Sequence, residues 1–126
     1  MQQLVLVALG GALGSMLRYL TVTAAIRWLG ADFPWGTLAV NLVGSFMIGV
    51  VNELGAEALV LSPETRLFLT TGVMGGLTTY SAFSYETARM MQVEAWSTAA
   101  VYAVGMAAAS VALCLLGIAA ARALVR

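Results

Sequence analysis

Apolar positions run through this chain in four long stretches, separated by short polar breaks. A helix needs about 20 apolar residues to cross the hydrocarbon core of a membrane. The stretches supply spans at about 3–28, 35–59, 66–92 and 95–124. The breaks carry helix punctuation. Gly30-Ala31-Asp32-Phe33-Pro34 reads as a turn with Pro34 placed to open a helix. Ser62-Pro63-Glu64 reads as an N-cap followed by proline in the first turn, and Gln92-Val93-Glu94 closes the third hairpin. Short connections make consecutive helices antiparallel neighbours. The expected fold is therefore all-α, one integral membrane domain of four transmembrane helices over residues 1–126. Trp28, Trp35 and Trp96 fall at span ends on the side of the first and third loops, as an interfacial aromatic belt would place them.

Composition agrees with the pattern and narrows the function. The chain is 61% hydrophobic and 10% charged, whereas a soluble domain carries about 25% charged residues. Six arginines balance six acidic residues, so no basic field invites nucleic acid. Histidine is missing, and with it the commonest metal ligand and general base. Cys114 stands alone, which excludes a disulfide within the chain and a cysteine zinc cluster; it reads as a small apolar helix residue. Met1-Gln2-Gln3 lacks the basic region of a signal peptide, and the apolar run from Leu4 continues to Trp28, so it reads as a mature span.

Loop charges give little orientation. Arg66, Arg122 and Arg126 lie on the side of the termini and the second loop, against Arg27 and Arg89 on the other. That is a weak positive-inside bias. The expectation is dual topology, with an antiparallel homodimer as the working unit.

Polar residues at depth are costly unless they face protein or water. Gly10, Gly14 and Arg18 share one face of the first span. The two glycines form a small-xxx-small contact. A mid-span arginine costs about 2.5–3.5 kcal/mol on insertion scales, so Arg18 must line a wet anion-attracting cavity, snorkel, or pair with Glu86. Thr37, Asn41 and Ser45 recur every four residues in the second span, with Asn52 beyond; interhelical glue and a polar track both fit. The fourth span puts Tyr102, Met106, Ser110 and Cys114 on one face, beside a small face of Ala103, Gly105, Ala107 and Ala108 that reads as tight packing.

The third span departs most from a lipid-facing rod. Between Thr70 and Thr87, ten of eighteen residues are Gly, Ser or Thr. Gly75-Gly76 precedes Thr78-Thr79, and each glycine costs a helix about 1 kcal/mol against alanine. The predicted consequence is a helix broken mid-membrane near Gly75–Thr79. Backbone of that kind survives at depth only where protein, water or an ion satisfies it. Free carbonyls at one half-helix end suit a small cation, and free N–H groups at the other suit an anion. Tyr80 and Phe83 follow at i, i+3, with Ser84 and Thr87 continuing the face. Two aromatics at this spacing normally pack in a core; a ring presented edge-on could instead touch an anion, and spacing alone favours the core.

Thr71-Gly72-Val73-Met74-Gly75-Gly76-Leu77-Thr78-Thr79-Tyr80-Ser81-Ala82-Phe83-Ser84 resembles the signature of the Fluc (CrcB) fluoride channels. Gly36-Thr37-Leu38 with Asn41-Leu42 and Gly44 resembles a second motif of that family, and Gly10-Gly11 and Gly14 followed by Leu17-Arg18-Tyr19 a third. The resemblance covers essentially the whole chain. It implies passive export of fluoride across the bacterial inner (plasma) membrane by a multi-pass, dual-topology homodimer with two pores. It also implies a structural sodium ion at the dimer centre, held by backbone carbonyls of the residues matching Gly75 and Thr78. The ring edges that touch fluoride match Tyr80 and Phe83, the pore asparagine Asn41, and the vestibule arginine Arg18. Pore-lining hydroxyls match Thr79, Ser81, Ser84, Tyr102 and Ser110. Two positions depart from the family: Tyr80 stands where phenylalanine is usual, and Met106 where a small polar residue is common.

Small multidrug transporters share the length, the four spans and dual topology. They need a glutamate in the first span, where this chain has Arg18. A non-transporting assembly protein would account for the glycines but not for Arg18, Asn41 and the polar third span together. No nucleophile–base or metal constellation suggests an enzyme, and no ionisable pair at depth reads as a proton relay.

Overall fold

The computed structural model describes residues 1–56 and 60–126, and every element among them is helical. Helix α1 spans Gln2–Leu29 and α2 spans Trp35–Ala56. The last expected residues of the second span, 57–59, lie outside the described residues. The third segment is composite. It comprises α3 (Pro63–Leu67), a π-helical stretch (Phe68–Met74), a single turn α4 (Gly75–Leu77), and α5 (Tyr80–Gln92). Helix α6 spans Trp96–Leu124. Helices α1, α2 and α6 are long and apolar enough to cross a membrane.

The local chemistry of the ends matches the sequence. Ser62 caps α3, its Oγ accepting the Thr65 N–H at 3.1 Å, with Pro63 in the first turn. Gly30 ends α1 at φ 86°, a backbone region that disfavours residues with a Cβ.

Packing follows small residues. Helix α1 lies against the first half of the third segment, α2 against α6, and α5 against α6. A Cβ on Gly10 would stand 2.6 Å from the Phe68 carbonyl oxygen, and one on Gly14 2.8 Å from the Leu77 nitrogen. One on Gly76 would overlap the Gly11 carbonyl. Backbones therefore touch along this contact, as small-xxx-small faces allow. Gly49 and Gly117 do the same between α2 and α6, against the backbones of Cys114 and Phe46. The small face of α6 behaves otherwise than expected: nothing lies within 4 Å of a Cβ on Gly105, and Ala103, Ala107 and Ala108 line an open groove.

The interior is small. Val40, Val73, Met74 and Leu77 form the buried cluster at the middle of the bundle. Large apolar side chains such as Leu9, Leu20, Val101, Val104 and Leu115 face outward. So much exposed apolar surface belongs in lipid or against another copy. At the end carrying the termini, Arg122 donates to Glu53 at 2.5 Å and Arg66 donates to Asn52 at 3.0 Å. These contacts tie α6 and α3 to α2.

Candidate functional site

The third segment breaks where Thr78 and Thr79 turn extended, at φ −78°, ψ 154° and φ −149°, ψ 114°. The break is thus two residues past the glycines held responsible for it. Gly75 and Gly76 are themselves helical. Their neighbours Thr78 and Thr79 are β-branched, a side-chain class that accepts extended backbone more readily than helix.

Asn41 holds the break open. Its Oδ1 accepts the Thr79 N–H at 2.8 Å, and its Nδ2 donates to the Thr79 carbonyl at 3.1 Å. A side-chain amide here replaces the helical partners that an extended residue loses. Thr79 then starts the second half, its Oγ1 accepting the Ala82 N–H at 3.2 Å. Thr78 closes the first half. Its N–H and its Oγ1 both donate to the Met74 carbonyl, at 3.0 and 2.9 Å. Its methyl group fills the space above Gly44, where a Cβ would overlap it.

A groove of about 910 Å³ runs between α2, the break and α6. Asn41, Ser45, Thr78, Thr79, Tyr80, Phe83 and Ser110 contribute to its wall, with Met106 among the apolar lining. The rings form a chain along α5 and α6. Tyr80 and Phe83 centroids are 5.6 Å apart, Phe83 and Tyr102 5.2 Å, and Tyr102 meets Phe33 edge-on at 5.3 Å. Tyr80 is 81% exposed, whereas Tyr102 is 2% exposed.

Behind the break lies a second cavity of about 310 Å³, lined by Arg18, Thr37, Thr79 and Glu86 among others. Arg18 donates its Nε–H to the Gly76 carbonyl at 3.0 Å, at the end of the first half-helix. Arg18 lines this cavity, and its Nε–H goes to the Gly76 carbonyl and not to Glu86. The Glu86 carboxylate is claimed from two sides, accepting from Thr37 Oγ1 and from the Tyr102 hydroxyl at 2.6 Å each.

Residues 5–118 match the CrcB-like protein family (camphor resistance, CrcB). The chain belongs to the CrcB family. It is 47% identical over 122 residues to a protein of Agrobacterium fabrum (strain C58), covering 97% of this chain and 98% of that one. It is 47% identical over 126 residues to one of Anaeromyxobacter sp. (strain K), covering 100% and 97%. A third, from Chelativorans sp. (strain BNC1), is 50% identical over 111 residues, 88% of this chain and 89% of the relative. All three relatives bear the name fluoride-specific ion channel FluC.

Within this CrcB chain most of the expected site residues divide among three places. Asn41, Thr79, Tyr80, Phe83 and Ser110 meet at the groove, with Thr78. Arg18 sits in the rear cavity, which shares Thr79 with the groove. Gly75 lies on the outer side of the half-helix end, exposed, with only the Thr70 carbonyl, 3.8 Å away, near where a Cβ would stand. Several expected hydroxyls have their hydrogen directed elsewhere. Ser84 donates to the Tyr80 carbonyl at 2.9 Å, and Tyr102 to Glu86. Ser81 lies 3.4 Å from the Thr79 hydroxyl. Thr37 and Asn41 act as glue to the third segment, while Ser45 faces the groove, so the four-residue row in α2 serves both readings. Sequence reasoning gave Glu86 a role only as a partner for Arg18. A carboxylate placed to face Thr37 and Tyr102 was not visible, since those residues stand on two other helices.

Proposed function

We propose that this chain is a fluoride-selective channel that lets fluoride leave the cytoplasm passively across the bacterial inner membrane, crossing it four times. The working unit is an antiparallel, dual-topology homodimer with two pores. The observation that carries this reading is the clamped break: Asn41 fixes Thr79 in extended form and thereby sets Tyr80 and Phe83 along an open groove. The names of the relatives supply the identity of the ion.

Fluoride is small and strongly hydrated, so a pore must replace many hydrogen bonds at once. One hydrogen on Asn41 Nδ2 goes to Thr79, and the amide carries a second. That hydrogen, the hydroxyl of Ser110, and the positive ring edges of Tyr80 and Phe83 offer donors along the groove without a fixed cation that would trap the ion. The groove is open in a single copy, and in this reading a second copy covers it.

The cation site of this reading is the carbonyl end of the first half-helix. No described residue donates a hydrogen bond to the carbonyl of Gly75 or of Thr78. Open carbonyl oxygens, with free space beside Gly75, fit a small hard cation such as sodium. Two copies meeting there would double the oxygens, and the bound ion would fix the dimer.

Fluoride efflux from proteoliposomes tests the function. Fluoride should leave far faster than chloride. Equal rates, or no release above protein-free vesicles, would refute the channel.

A further inference from the structure

Helix α1 does more than pack on the third segment. Gly10, Gly14 and Arg18 lie on one face, one turn apart. The glycines bring the α1 backbone against Phe68, Gly72 and Leu77. That closeness carries Arg18, one turn on, to the last turn of the half-helix, where it donates to Gly76.

The end of this half-helix is the negative end of its dipole. Its final carbonyls are divided among donors in a definite way. Met74 receives Thr78 twice, and Gly76 receives Arg18. Gly75 receives none from the described residues. The Gly76 carbonyl is thus occupied by Arg18 of α1, while Gly75 is an exposed residue whose carbonyl takes no donor from the described residues. One helix end gives one carbonyl to a permanent cation and leaves its neighbour without a donor among the described residues.

We infer that Arg18 is a fixed counter-cation on this helix end, and that it weakens the hold of the end on its mobile cation. The inference rests on the cation site proposed above. Two positive charges drawn to one dipole end repel each other. At the effective dielectric of a protein interior, a unit charge within several ångströms changes affinity by roughly tenfold or more. The consequence is a site that keeps its ion at cellular sodium without binding it irreversibly.

The test is thermal unfolding of the full chain, purified in detergent, across a sodium series at constant ionic strength, with N-methylglucamine replacing sodium. The wild type should gain melting temperature with sodium and saturate. Arg18→Gln retains an N–H for the Gly76 carbonyl but removes the charge, and its half-saturating sodium should fall about tenfold. Arg18→Lys keeps the charge and should stay within about threefold of wild type. An unchanged or raised midpoint in Arg18→Gln would overturn the inference while leaving the cation site standing. So would an Arg18→Gln chain unfolded at every sodium concentration beside a folded Arg18→Lys, since Arg18 would then be a structural cap. A wild type indifferent to sodium would remove the cation site itself, and the inference with it.

Discussion

Asn41 spends both ends of its side-chain amide on one residue, the nearly buried Thr79. Truncation to alanine would leave a backbone N–H and C=O unpaired at depth, at about 1–3 kcal/mol each. Asn41→Ala should therefore lower the stability of the purified chain by about 2–6 kcal/mol and cut fluoride efflux at least tenfold. Asn41→Asp keeps the acceptor for the Thr79 N–H but sets a carboxylate against the Thr79 carbonyl and the groove. It should abolish efflux more fully than alanine. Efflux equal to wild type in either variant would remove Asn41 from the path. The sequence made Asn41 conspicuous because a carboxamide at depth has to bond something. What it bonds is 38 residues away, and no periodicity connects the two. Glu86 shows the same limit, because its two donors come from α2 and α6.

At the scale of elements, the broken third segment was legible from its glycines and hydroxyls, and the break falls at the far end of the expected Gly75–Thr79 stretch, at the threonines and not at the glycines. Adjacent glycines weaken any helix considered alone. In the bundle, Gly76 serves contact with α1, and neighbouring backbone leaves no room for a side chain. Tertiary packing thus keeps the glycine pair helical and shifts the irregular backbone to Thr78 and Thr79. The two glycines should behave oppositely when tested. Gly76→Ala forces α1 away and should cost about 1–3 kcal/mol of stability, as overpacking does. Gly75→Ala adds a methyl to open space on helical backbone. It should leave the unfolding midpoint at low sodium within about 1 kcal/mol of wild type, while reducing the sodium-dependent part of stability. Equal loss in both variants would show that Gly75 is also packed, against a surface the single chain does not supply.

For the whole molecule, orientation in the membrane is the least determined property and the most consequential one. Only a few arginines decide it, and not all are equally open to change. Arg122 and Arg66 hold Glu53 and Asn52, so altering them would disturb packing as well as charge. Arg27 lies over the Trp28 ring, and Arg89 bonds Gln92 within its own helix. Both can be changed with little effect on the bundle. Arg27→Gln with Arg89→Gln leaves the arginines outside the span interior, Arg66, Arg122 and Arg126, on one side. The positive-inside rule then commits the chain to one orientation. Ala31→Arg with Asp32→Arg, in the exposed first loop, should commit it to the other. If the functional unit is an antiparallel pair, each biased variant should fold, insert and yet fail to export fluoride when expressed alone. The two together should restore export, because each supplies the copy the other lacks. Full export by either variant alone, with its C-terminus reachable from one membrane face only, would show that parallel copies or single chains conduct.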